Sequence, residues 1–185
     1  KNGKNIIKKF SSKIEFKNVN YSYDQKNLVL KNCNIDFIKG NVYGIMGESG
    51  SGKTTIIDLI MGFDFPTKGN IKIDNKNIED LNINQLRKKI GYISQETILF
   101  NTSILNNILW TNSNASKKDV EKIINRSKAF NFIKKLPNGL NTLTGDRGAS
   151  LSGGQIQRIS LLRAMIKDPE ITILAGSTTG SVTLS

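Results

Sequence analysis

The chain has 185 residues, with 27 Lys and Arg against 15 Asp and Glu, a formal charge of +12, one Cys and no His. That length suits one large domain, or a core domain with an inserted subdomain. The single Cys33 excludes a disulfide framework and fits a reducing compartment. The lack of His excludes His-based catalysis and His metal ligation, and no apolar run approaches the roughly 20 residues a membrane span needs. Lys, Asn and Ile number 22, 22 and 26, together 70 of 185 residues. Their codons are the richest in A and T, so a biased genome raises all three together. Arg makes up only 5 of the 27 basic residues, whereas a nucleic-acid site favours Arg and clusters its charge with aromatics. No nucleic-acid partner is expected.

Lys1 to Lys13 carries five Lys and no acid and reads as a linker within a longer polypeptide. Strands are expected over Ile14–Val19, around Cys33, Ile35 and Phe37, which alternate with Asn34, Asp36 and Ile38, and over Val42–Met46. A Gly-rich loop then leads into an apolar helix over Thr54–Met61, followed by strands near Ile71–Asp74 and Ile90–Ser94. From Thr102 to Lys167 the pattern is helical. Ser116 with Asp119 forms a capping-box signal for a helix carrying Val120, Ile123 and Ile124, and Pro137-Asn138-Gly139 breaks the next one. Ile171–Leu174 reads as a buried strand. This order describes an α/β core with a helical insertion.

Gly47-Glu48-Ser49-Gly50-Ser51-Gly52-Lys53-Thr54 fits G-x-x-x-x-G-K-[ST] at every position, between a strand and a helix. The glycines let successive N–H groups turn inward around a phosphate. Lys53 can reach the β- and γ-phosphates, the Thr54 hydroxyl is placed to ligate Mg²⁺, and the helix adds its positive dipole end. This is a nucleotide site. Further on, Leu151-Ser152-Gly153-Gly154-Gln155 precedes the helical stretch Ile156–Ile166. Ser152 and Gln155 can form a capping box, and the two glycines leave first-turn N–H groups open to an outside anion.

The phosphate loop, a Gln after a strand, and Leu-Ser-Gly-Gly-Gln before a helix together resemble the nucleotide-binding domain of an ATP-binding cassette (ABC) transporter, from about Ile14 to Leu174. The flanking words resemble exporters whose transmembrane half precedes this domain in one chain: Tyr92-Ile93-Ser94-Gln95-Glu96, Leu99-Phe100-Asn101, Asn106-Asn107-Ile108 and Thr144-Gly145-Asp146-Arg147-Gly148. The resemblance implies the P-loop NTPase core of the ABC ATPases with a helical subdomain at about 102–167. It implies that Tyr23 stacks on adenine and that Ser49, Gly50, Ser51, Gly52, Lys53, Thr54 and Thr55 wrap the phosphates. Gln95 would touch Mg²⁺ and the attacking water and sense the transmembrane partner, and Asp146-Arg147-Gly148 would face that partner. Leu151 to Gln155 would cover the ATP of a second such domain. The setting implied is the cytoplasmic face of a plasma or inner membrane, with ATP and Mg²⁺ as ligands.

The resemblance breaks after Leu174. The family places there an Asp that holds Mg²⁺ through water and a Glu that activates water, where this chain has Ala175 and Gly176. The family's later loop ending in Asp and its His are missing as well. Ala175 to Ser185 contains no Lys, Asn, Ile or charge and reads as a foreign, linker-like tail on a domain cut short, leaving a sheet edge open. The alternative is a naturally degenerate site. In either case ATP binding is expected with hydrolysis weak or absent. Two other functions compete with the exporter: a soluble cassette ATPase of translation or DNA repair, and a non-hydrolysing ATP-binding regulator.

Overall fold

The computed structural model describes residues 3–24, 26–94, 96–176 and 179–184, the last of these as backbone. The chain divides into two compact units, Lys1–Tyr92 with Glu170–Ser185, and Ile93–Pro169. Among the described residues, eight strands form in chain order: β1 (Lys13–Tyr21), β2 (Leu30–Ile38), β3 (Val42–Met46), β4 (Lys68–Ile73), β5 (Lys76–Asn77), β6 (Ile90–Ile93), β7 (Ile171–Ala175) and β8 (Thr179–Leu184). The first unit also carries α1 (Lys53–Ile60) and α2 (Ile83–Lys88).

One sheet has the order β2-β1-β4-β5, with antiparallel pairing throughout. Along β1, Ile14 and Phe16 are buried, and then Val19 and Tyr21. The change of parity comes from a register shift between Phe16 and Val19, where Asn18 adopts φ 51°. An extra residue in a strand turns the following side chains to the other face. The bulge therefore carries Tyr21 into the core. Facing this sheet's apolar residues, α1 contributes Ile56, Ile57, Leu59 and Ile60, and β7 adds Ile171 and Ile173, to one continuous core.

The other sheet has the order β3-β8-β7-β6. β8 pairs antiparallel with both β3 and β7, with Val42 opposite Thr183 and Ala175 opposite Gly180. The segment expected to be a linker-like tail is therefore a strand between β3 and β7. Its Thr, Val and Thr at 179, 182 and 183 are β-branched and suit extended backbone, and its partners lie far away in sequence. β3 ends the sheet, with the side chains of Val42 and Met46 exposed.

The second unit holds α3 (Ile104–Leu109), α4 (Lys117–Arg126), α5 (Asn131–Lys135) and α6 (Gly153–Met165). Their apolar faces meet in a separate core of Leu99, Ile104, Ile108, Val120, Ile124, Phe130, Ile133, Ile159, Leu162 and Ile166. The capping box of Ser116 and Asp119 opens α4 as expected, and α5 stops before Pro137. The fully buried Asn107 amide donates to Phe100 O at 2.9 Å and Ser103 O at 3.0 Å, while its Oδ1 accepts from Phe100 N at 2.9 Å and from the Arg163 guanidinium. Among the described residues, no helix is long and apolar enough to cross a membrane.

Candidate functional site

β3 delivers the chain at Gly47 into the loop, and α1 begins at Lys53. Two residues inside the loop have left-handed backbones, Gly50 at φ 80° and Gly52 at φ 90°. Only glycine adopts such angles without strain. Gly52 is the N-cap of α1 and supplies no side-chain cap, so the first N–H groups of the helix depend on water or a ligand. The loop closes on itself through Ser51 N–H to Glu48 O at 3.2 Å, and a Cβ on Gly47 would stand 2.6 Å from Ser51 Oγ. Lys53 Nζ donates to Gly47 O and Glu48 O, each at 2.6 Å. Gly47, Ser49, Gly50, Ser51 and Thr54 lie exposed around this arch, while Thr55, the third residue of the helix, is buried.

Tyr23 sits just past the end of β1 with 63% of its surface exposed. Its hydroxyl is 2.9 Å from Thr55 Oγ1. The structure thus brings Tyr23, the loop and α1 together. The Thr55 hydroxyl is engaged by Tyr23. Burial, reinforced by the charge of Asp64, pushes the Asp58 carboxyl up, and burial with the Asp64 hydrogen bond pushes the Tyr21 hydroxyl up. Tyr21 and Asp64 are the residues here that sequence reading missed. They are 43 positions apart, and no local pattern pairs them.

Leu151 to Gln155 belong to the second unit. The expected capping box is present: Gln155 N–H donates to Ser152 Oγ at 3.3 Å, and Ser152 N–H donates to Gln155 Oε1 at 2.8 Å. Gly153 and Gly154 are exposed in the first turn of α6, and a Cβ on Gly153 would meet nothing within 4 Å. The residues offering open donors are therefore the two glycines. Asp146-Arg147-Gly148 forms a short 3-10 turn in which Asp146 and Arg147 are exposed and Gly148 is buried. Gln95, expected to touch Mg²⁺ and water, lies outside the described residues.

A strand, a glycine-rich loop and a helix beside two β-sheets, with a helical unit ending in a second glycine-led helix, define a P-loop ATPase domain of the cassette type. The profile of the ABC transporter family matches residues 30–178, and the chain belongs to that family. It is 42% identical over 96% of its length to the heterocyst differentiation ATP-binding protein HepA of a Nostoc species. It is 40% identical over 93% of its length to the ATP-dependent lipid A-core flippase of Syntrophus aciditrophicus. A solved bacterial Atm1-family ABC exporter with ATP bound matches 94% of the chain at a TM-score of 0.84 and 32% identity. The chain spans 29% of the first relative, 28% of the second and 30% of the solved exporter chain.

Proposed function

We propose that this chain is the ATP-binding domain of an ABC exporter, working at the cytoplasmic face of a membrane beside a transmembrane domain. The observation that carries this reading is the Gly47–Thr54 arch, whose two left-handed glycines and capless helix start leave N–H groups for a triphosphate. Lys53 would leave the carbonyls it now holds and meet the β- and γ-phosphates, and the open face of Tyr23 would take adenine. The names of the flippase and of the ATP-bound exporter support the exporter setting over a soluble cassette ATPase.

Mg²⁺ would neutralise charge on the β- and γ-phosphates. The exposed Thr54 hydroxyl fits as one ligand, with phosphate oxygens and water supplying others. No group of three or more carboxylate, His or Cys side chains gathers among the described residues. Ala175 and Gly176 at the end of β7 have no side chain able to hold a metal-bound water or accept a proton. The chain is therefore read as binding ATP with little or no turnover. Gly153 and Gly154 would present their N–H groups to the γ-phosphate held by a second such domain, so that two domains enclose two nucleotides.

Calorimetry with Mg·ATP tests the reading: binding is expected, with Lys53→Ala abolishing it. Absence of binding by the unaltered chain would sink it. A phosphate-release assay showing Lys53-dependent turnover would remove the claim of impaired hydrolysis alone.

A further inference from the structure

Four side chains of the first unit form a line. Asp64, exposed in the segment after α1, accepts a hydrogen bond from the hydroxyl of Tyr21 through Oδ2, and its Oδ1 accepts from Phe65 N–H at 2.8 Å. Both carboxylate oxygens are thus engaged, and the carboxylate is oriented. Tyr21 is buried. Its ring meets the ring of Tyr23 edge to face, with centroids 4.9 Å apart and planes at 90°. Tyr23 in turn shares its hydroxyl with Thr55 Oγ1 on α1. An exposed tyrosine just past a strand end would ordinarily sample several rotamers. Here the ring packs at a right angle against a pinned neighbour, and its hydroxyl is tied to α1.

We propose that Asp64 and Tyr21 are positioning residues for Tyr23, holding its largely exposed ring ready for the purine base of the nucleotide whose phosphates the loop takes. This rests on the nucleotide reading above. Preorganisation raises affinity because the ligand no longer has to order the platform, and the benefit falls only on ligands that carry a base. A bond that merely satisfies a buried tyrosine hydroxyl would show no such selectivity.

The test compares Mg·ATP with Mg·tripolyphosphate, which has the phosphates and no base, by calorimetry on the full chain. Asp64→Ala removes an exposed carboxylate, so the fold should persist, and Tyr21→Phe keeps the ring while removing the hydroxyl. Each is expected to weaken ATP about three- to tenfold, as for one lost hydrogen bond, and to leave tripolyphosphate within about twofold. Asp64→Asn, which keeps an acceptor, should stay within about twofold of the unaltered chain for both ligands. Equal losses for both ligands, unchanged ATP affinity, or an Asn variant as weak as the Ala one each overturn the assignment while leaving the nucleotide reading standing. Lys53→Ala should lose both ligands. If it retains both, the nucleotide reading falls, and this inference falls with it.

Discussion

Lys53 Nζ lies 2.6 Å from the carbonyl oxygen of Gly47, the first residue of the loop that it closes, and equally near that of Glu48. The ammonium therefore rests on the partial negative charge of two backbone oxygens. A phosphate offers it a full charge in the same arch, so binding exchanges weaker bonds for charge-assisted ones. Lys53→Ala should lower ATP affinity by about a hundredfold or more, below what calorimetry detects. Without nucleotide its melting temperature should move little, because the lysine is bonded near the surface. Thermal melts with and without Mg·ATP check both halves: a ligand-induced rise for the unaltered chain and none for the variant.

Two glycines give opposite expectations for the same substitution. Gly52 has φ 90°, and a Cβ there would stand 2.8 Å from Leu30 Cδ2. Gly52→Ala should cost about 1–3 kcal/mol through strain and crowding. At Gly153, where a Cβ meets nothing within 4 Å, alanine suits the first turn of α6 and should add up to about 0.5 kcal/mol. The same methyl would stand beside the N–H proposed to meet a partner's nucleotide. Urea unfolding should show the loss for Gly52→Ala and a sound fold for Gly153→Ala, and sedimentation of Gly153→Ala in ATP should show lost self-association.

The capping box at α6 makes its own prediction. Because Ser152 Oγ is already accepting from Gln155 N–H at 3.3 Å, Ser152→Ala should destabilise the second unit by about 1 kcal/mol. Ser152→Thr should restore most of that loss. Denaturant melts followed by Trp110 fluorescence would report it, since Trp110 lies in that unit.

What could be read beforehand was local. The strand, loop and helix from Val42 to Ile60 stand where the glycine spacing and apolar runs placed them, and so do the boxes at Ser116 and Ser152. Each depends on residues within a few positions of one another. α2 escaped notice because six residues are too few to set a helical period, although Asn82 caps it by accepting from Gln85 N–H at 3.1 Å. β8 escaped because its Thr, Ser and Gly resemble a linker until β3 and β7 pair with it. The Tyr21–Asp64 bond escaped for a related reason. Strict alternation from Ile14 and Phe16 would turn Tyr21 away from the core, and only the bulge at Asn18 brings it in.

The Glu170 carboxylate gives the fold a pH dependence. It accepts from Lys89 Nζ and from Phe10 N–H, and Lys89 also donates to Lys8 O at 2.7 Å. One side chain thus joins the N-terminal segment to the start of β7 and the residue before β6. Burial alone would push its carboxyl up, but the hydrogen bonds from Lys89 and Phe10 outweigh it and hold the group below its ordinary 4.5. A carboxyl depressed by folding stabilises above its unfolded value, and that contribution is lost as pH falls through the folded one. Glu170→Gln should cost about 1–2 kcal/mol at pH 7, because the side chain is only 24% exposed and its partners are left less well paired. The gap between variant and unaltered chain should be full at about pH 6, shrink as pH drops below 4.5, and close once the native carboxyl is protonated. Urea unfolding of both proteins across that range measures it, and a gap unchanged by acid would refute the role given to the charge.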